Sequence, residues 1–420
     1  MVVNLILLTV SLLIYAGYGL PGLIYLLCAV ILSWGAGLLT SRWRWVTWVS
    51  VALNGLSLLL LKLQPLTGIS WLSVMGMSYF TLQIISYQID VYRGKYPPER
   101  DLLKYALYVT WIPHLFMGPI ERYDTMAPQL SAHRKLTWED ISCGGMRILV
   151  GALKKMVIAS RLAVVTGTIG ADPAKYQGAF AVLAVLMYSV QLYCDFSGGI
   201  DMILGVSRMC GIRMQENFRT PYFSESVREF WQRWHITLGA WLRDYIYIPL
   251  GGNRKGKLRK LLNTLVTFLV SGLWHGVEYL LWGLLNGLFV WTGDKLKTRW
   301  KILNRIGTFL LITLLWAFFV WPETATALKM LLSMVTTWNY GALFAGIGKL
   351  GLVLSDWIVL AAALLLLWLY DLQQHRLDAW FARRCPAARM AVICTFGLLV
   401  LVFGMYGIGF DVDSFIYGGF

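Results

Sequence analysis

The sequence predicts an all-α polytopic membrane protein, with about eleven transmembrane helices and short re-entrant or in-plane helices between them. Three observations lead there. Hydrophobic residues make up 58% of the 420-residue chain and charged residues only 14%, against roughly 25% charged in soluble domains. Residues 1–41 carry no charge at all; as helix they would extend about 60 Å, two crossings of a bilayer core about 30 Å thick. Basic residues gather in short connections between apolar runs, as the positive-inside rule expects of cytoplasmic loops. A soluble enzyme is excluded.

In chain order, the first apolar runs lie at residues 4–16 and 20–38, interrupted by Gly17, Gly19, Pro21 and Gly22. Further runs cover 45–61, 66–89, 103–119, 145–168 and 178–206, several of them longer than one span requires. Between them, Glu121–Glu139 is the longest polar stretch; with Pro128 inside it, it reads as an interfacial loop. The runs 236–250 and 261–276 contain charge, Gly or both, and 236–250 also Pro. They are expected to be broken or re-entrant helices lining a cavity, because irregular backbone at membrane depth must be satisfied by protein or water. The runs 277–293, 306–321, 351–370 and 390–410 complete the bundle, and Met390–Phe410 offers 21 uncharged residues. No internal repeat and no soluble domain is visible. The chain reads as one membrane domain, 1–420, with N-terminal spans 1–69, a core 70–293 and C-terminal spans 294–420.

The excess of Lys plus Arg over Asp plus Glu, 37 to 22, gives a net charge of +15. It is concentrated at Arg42/Arg44, Arg254–Lys260, Lys295–Arg305 and Arg376–Arg389, a distribution that reads as topology. A nucleic-acid partner is not expected, since no basic folded face or binding motif is present. Met1-Val2-Val3-Asn4 lacks the basic start of a removable leader. The six cysteines have no C-x-x-C spacing, and Cys28, Cys194 and Cys394 fall in apolar runs, so neither a disulfide framework nor a zinc site is expected.

Ionisable residues inside apolar runs are the informative ones. One segment runs from Phe218 through Phe230-Trp231-Gln232-Arg233-Trp234-His235 to Trp241-Leu242-Arg243-Asp244-Tyr245 and Gly251-Gly252-Asn253-Arg254. The spacing of Arg228, Trp231 and His235 predicts one helical face, either as an interfacial amphipathic helix or as the wall of a reaction chamber. The other is Ser271-Gly272-Leu273-Trp274-His275-Gly276. A lone apolar-face histidine is commonly a satisfied core residue. Here Gly272 and Gly276 keep backbone close and are expected to leave the imidazole room to act as a proton acceptor. Neither His235 nor His275 has a neighbouring ligand at metal-binding spacing, so no metal is expected. The absence of a G-x-S-x-G elbow and of a Walker lysine argues against hydrolase and NTPase chemistry.

Together these segments resemble the membrane-bound O-acyltransferase family, most closely its bacterial polysaccharide O-acetyltransferase branch, typified by alginate acetylation. Phe230–Arg254 is similar to that branch's RWH-x-x-L…W-x-R-D-Y-I-Y-I-P-L-G-G-N-R block, and Gly272–Gly276 to its G-x-W-H-G signature. Gly76–Arg93, Gly118–Tyr123 and Tyr193–Gly198 resemble further family segments, as does Tyr406–Asp411. Cys194 and Trp321-Pro322 depart from the pattern. The resemblance implies a central tunnel in the cytoplasmic membrane, His275 as catalytic base and His235 as a second catalytic histidine. Trp274, Trp231, Arg243, Asp244, Asp195, Asn253 and Arg254 are the accompanying candidates for substrate or donor contacts. Arg243 and Asp244 suit either a structural pair or a donor-entrance contact. Asp195 is either a buried partner for a basic residue or tunnel wall.

The resemblance further implies no bound cofactor, with acetyl-CoA, another acyl-CoA or an acyl carrier protein delivering the thioester. The acceptor would be an extracytoplasmic polysaccharide, reached directly or through an SGNH-type partner, with membrane lipids around the protein. Two rivals remain. A sister branch transfers D-alanine towards teichoic acids, but does not usually carry Pro249-Leu250-Gly251-Gly252-Asn253. A transporter would predict internal repeats, and none is visible.

Overall fold

The computed structural model describes residues 2–68, 74–132, 135–293 and 297–406. Lys295 and Gly407–Asp411, both singled out above, lie outside the described residues. Helices dominate: α1 Val2–Ala16, α2 Leu20–Leu39, α3 Trp45–Lys62, α4 Met77–Tyr92, α5 Trp138–Ala152, α6 Ser160–Ala171 and α7 Ala179–Met209. They are followed by α8 Val227–Arg233, α9 Ile236–Leu242, α10 Gly256–His275, α11 Leu280–Thr292, α12 Lys301–Leu315, α13 Thr324–Thr336, α14 Leu354–Ala382 and α15 Pro386–Phe403. The one β-pairing among the described residues is a single bridge between Phe218 and Trp234.

Among the described residues, six helical segments are long and apolar enough to cross a membrane, or seven if Thr324–Thr336 and Tyr340–Lys349, bent by 108°, count as one broken span. Fewer helices than the eleven expected spans meet this length and apolarity, for a physical reason. Several apolar runs are buried inside the protein, where a helix need not match the bilayer. Run 103–119 divides at Trp111, just before Pro113, into Leu102–Thr110 and Ile112–Met117. Helix α4 has only 16 residues, yet Met77–Val91 are all buried, so protein surrounds it on every side.

The centre is α7, whose 31 residues extend about 46 Å at 1.5 Å per residue. Its most apolar window is 72% buried, whereas those of α14 and α15 are 6% and 11% buried. The outer pair presents Leu365, Leu366, Trp368, Leu398 and Leu401 outwards, as lipid-facing helices should.

α5 packs on α7 through reciprocal glycines. A Cβ on Gly151 would stand 2.4 Å from the Gly198 carbonyl oxygen, and one on Gly205 2.5 Å from that of Gly144. Such small-residue seams let helix backbones touch where no hydrophobic effect drives them together. Leu153–Ala159 then winds as a π-helix. The wider turn brings consecutive lysines onto α7: Lys154 reaches Asp201 at 2.8 Å and Lys155 pairs with Asp195. Arg147 joins Asp201 to Glu216. Asp195 is thus a buried partner for a basic residue, the first of its two expected roles.

Arg44, Arg93 and Arg122 gather at one end of the bundle. Arg44 lies over the Tyr92 ring at 4.1 Å, Arg93 over the Tyr245 ring at 5.4 Å, and Arg122 pairs with Asp244 at 3.5 Å. At the same end, Gln129 donates to the Arg213 carbonyl at 2.9 Å and Arg213 reaches Asp140 at 3.5 Å.

Candidate active site

Helices α8 and α9 form a short hairpin that enters the protein from this basic end and returns to it. Each has seven residues, about 10 Å of helix. Ser226 caps α8 by accepting the Glu229 N–H at 3.3 Å, and Arg233 pairs with Glu229 at 2.6 Å. The helix stops at Arg233 because the next backbone is engaged elsewhere. Arg219 N–H donates to the Arg233 carbonyl at 2.9 Å, and Trp234 pairs with Phe218.

His235 therefore sits at the hairpin tip, with φ 46° and ψ 54°. Left-handed backbone is costly for a residue with a Cβ, roughly 1–2 kcal/mol, so the surroundings must impose it. They do: Ile236 N–H donates to the Asn217 carbonyl at 3.0 Å, and Thr237 N–H and hydroxyl donate to Asn217 Oδ1 at 3.0 and 2.8 Å. Thr237 Oγ1 accepts Ile120 N–H at 3.0 Å. The expected single helical face of Arg228, Trp231 and His235 is thereby corrected, because His235 lies beyond the helix that carries the other two.

His275 comes from the same end by a longer path, as the last residue of α10. Gly272 allows the close approach that seats it, since a Cβ there would stand 2.6 Å from the Tyr279 carbonyl oxygen. Gly276 does something other than expected. A Cβ on Gly276 would meet the Glu278 carboxylate at 2.6 Å, so this glycine makes room for Glu278 rather than for the imidazole.

The two histidines converge on one indole. Trp274 lies 4.8 Å from the His275 ring and 6.0 Å from the His235 ring, both edge-on. Trp282 at 5.4 Å and Phe319 at 5.6 Å close around His275, and Phe196 at 5.0 Å around His235. Both imidazoles are buried, 3% and 7% exposed. Neither ring nitrogen of His235 has a hydrogen-bond partner among the described residues, an expensive arrangement in a dry interior unless a ligand supplies the partner.

A family model described as the membrane-bound O-acyltransferase family matches residues 100–337, a stretch holding both histidines. The chain belongs to the membrane-bound O-acyltransferase family. It is 38% identical over 331 residues to a probable alginate O-acetylase of Pseudomonas syringae pv. tomato, covering 75% of this chain and 62% of that one. It is 36% identical over 298 residues to the peptidoglycan O-acetyltransferase of Helicobacter pylori, 62% and 56% of the two chains. Against the teichoic acid D-alanyltransferase of Bacillus subtilis it is 27% identical over 265 residues, 59% and 67%. The chain spans about six tenths of the length of the alginate O-acetylases it matches.

The other candidates raised by resemblance to O-acyltransferases divide by position. Trp274 lies between the histidines. Trp231 is one ring further out, 5.6 Å from Trp282, with its N–H on Asn286 Oδ1 at 3.1 Å. Asp195 precedes Phe196, which touches His235, and is committed to Lys155. Arg243 and Asp244 form a half-exposed pair at 2.8 Å that also engages Arg122, a structural arrangement. Asn253 and Arg254 are exposed before the first turn of α10, about 30 Å of helix away from His275. The geometry does not bring these last four to the histidines.

Two residues outside those candidates do come near. Lys62 ends α3, buried, with Nζ 5.8 Å from the Trp274 ring centroid. Glu278 follows His275, and its Oε2 is buried without a hydrogen-bond partner among the described residues. The one hint of Lys62 in the sequence is that it is the sole charge in α3.

Proposed function

We propose that this protein is an integral-membrane O-acyltransferase that moves an acetyl group from a cytoplasmic thioester, such as acetyl-CoA, to a hydroxyl on an extracytoplasmic polysaccharide or on a partner that serves it. The observation that carries this reading is the convergence of two buried histidines on Trp274, one from a hairpin rooted at the basic end and the other from the far end of α10.

The basic end is the cytoplasmic one by the positive-inside rule. A thioester entering there meets the hairpin first, and His235 at its tip donates to or orients the acyl carbonyl. His275 is the general base that removes the hydroxyl proton of the acceptor. Burial among aromatic rings keeps water from competing for the acyl group. Acetyl is favoured because the relatives at higher identity are named as O-acetylating proteins, and because Pro249-Leu250-Gly251-Gly252-Asn253 is present. D-alanyl transfer from a carrier protein is the alternative, drawn from the relatives at lower identity.

The deciding experiment supplies purified protein in liposomes with labelled acetyl-CoA or with D-alanyl carrier protein, and follows loss of the thioester in the presence of polysaccharide acceptor. Turnover of acetyl-CoA dependent on His275 supports the reading. Turnover of the D-alanyl carrier alone reassigns the acyl group, and transport of polymer without thioester loss overturns it.

A further inference from the structure

Helices α3 and α10 both start at the basic end, after Arg42/Arg44 and within Arg254–Lys260, and run away from it for 18 and 20 residues. Their far ends meet at Lys62, Trp274 and His275. Lys62 is 7% exposed and the sole charge of its helix. It lies over Trp274 and close enough to both Glu278 and His275 for their charges to interact. Topology does not explain a lysine here, since the basic residues that anchor the chain are at the other end. Lipid anchoring does not explain it either, since its side chain turns inwards. A desolvated cation beside a base is suited to meet a developing negative charge, where a low dielectric makes it most effective.

We propose that Lys62 is a catalytic residue: its ammonium group binds the oxygen of the thioester carbonyl as that oxygen becomes an oxyanion. The acceptor hydroxyl oxygen bonds to the carbonyl carbon, its proton passes to His275, and the carbonyl π pair moves onto the oxygen beside Lys62. On collapse that pair reforms the C=O bond, the C–S bond breaks, and the departing thiolate takes the proton back from His275. This rests on the proposed acyl transfer and adds to it a group outside the histidine motifs.

The test measures thioester turnover by Lys62→Gln, Lys62→Arg, and the double variant Lys62→Gln/Glu278→Gln, beside His275→Ala, all in liposomes. Loss of an oxyanion ligand is expected to lower kcat about 10²–10³-fold with donor KM unchanged. The arginine variant should recover part of the rate, because it returns a cation. The double variant is decisive, since it leaves no lone buried carboxylate to disturb folding. If Lys62 binds the oxyanion, the double variant stays as slow as Lys62→Gln. If the double variant regains wild-type turnover, Lys62 is merely the counter-ion of Glu278 and the proposal is overturned. Wild-type rates in Lys62→Gln overturn it as well, with the functional reading intact. Wild-type rates in His275→Ala overturn the functional reading itself, and this proposal with it.

Discussion

His235 and His275, forty positions apart in the chain, lie against the two sides of one contact, the indole of Trp274, at 6.0 and 4.8 Å. Their routes differ. His275 is carried by a regular 20-residue helix, whereas His235 is held in left-handed backbone by Asn217 and the Phe218–Trp234 pairing. One is placed by a rigid rod and the other by a strained turn, and substitutions should affect them differently.

Replacing His275 by Ala is expected to lower acyl transfer about 10²–10⁴-fold, the usual contribution of a general base. The fold should survive, because α10 continues to pack through Gly272 and Trp274 rather than through the imidazole. Single-turnover thioester loss by the purified variant checks this, together with its elution as a single species in detergent. Near-normal turnover would remove His275 from the mechanism.

At His235 stability and activity should part. Glycine adopts φ 46° without penalty, so His235→Gly should unfold no earlier than His235→Ala. Both should turn over slowly, because both lack the ring. Thermal unfolding in detergent, run beside the turnover assay, separates the two effects. A glycine variant as active as wild type would make His235 only a hinge.

The polytopic helical class and both histidines are legible in the sequence, because apolar runs and ionisable residues within them carry their meaning locally. What ends α8 is not local. The i, i+3, i+7 spacing of Arg228, Trp231 and His235 reads as one helix, and only the distant partners Phe218 and Asn217 break it. Lys62 is illegible for a similar reason, since a lysine at the end of an apolar helix looks like an interfacial anchor until α10 is seen to bring His275 beside it. The number of spans is not legible in the same way, because apolarity reports burial without distinguishing lipid from protein. α4, buried over Met77–Val91, is the clearest case.

The glycine seam between α5 and α7 should tolerate no side chain. Gly151→Leu places a Cβ 2.4 Å from the Gly198 carbonyl oxygen, and both backbones must part to admit it. The expected loss is about 1–3 kcal/mol, as for overpacked cores. Gly145 has open space around its missing Cβ, so Gly145→Leu serves as the control. Thermal unfolding of the two variants side by side decides the point, and equal midpoints would mean that the helices do not cross at the glycines.

Glu121 should make stability depend on pH. It lies in the polar loop after residue 117, outside the spans, where burial pushes its carboxyl up from 4.5 to about 6 despite hydrogen bonds from Gln215 and Thr125. Between those values the folded state still holds a proton that the unfolded chain has released. Unfolding free energy should therefore fall as pH rises through this window, by about 2 kcal/mol in all, and stay at the lower level above it. Glu121→Gln should flatten that slope and be the more stable protein at pH 7.5. Unfolding midpoints at pH 4.5 and 7.5 test it, and an identical slope in both proteins would place the titration elsewhere.

The basic loop Arg254–Lys260, which from Gly256 onwards winds into the first turns of α10, should face the cytoplasm and draw in the donor. Arg254, Lys255, Lys257, Arg259 and Lys260 put five cations in seven residues, and the structure gives one of them a separate task. Arg259 donates to the Leu250 carbonyl at 3.3 Å and helps to hold the turn before α10, so it should be left in place. Neutralising the other four should raise the donor KM without lowering kcat, if they attract the phosphates of an acyl-CoA. The effect should be larger in dilute salt, because the Debye length grows from about 8 Å at 0.15 M to about 30 Å at 0.01 M. Cysteine labelling from either side of the membrane fixes the orientation independently, and labelling from outside would refute the assignment. A donor KM that stays at the wild-type value in dilute salt, with the loop still cytoplasmic, would leave these cations the single task of setting topology.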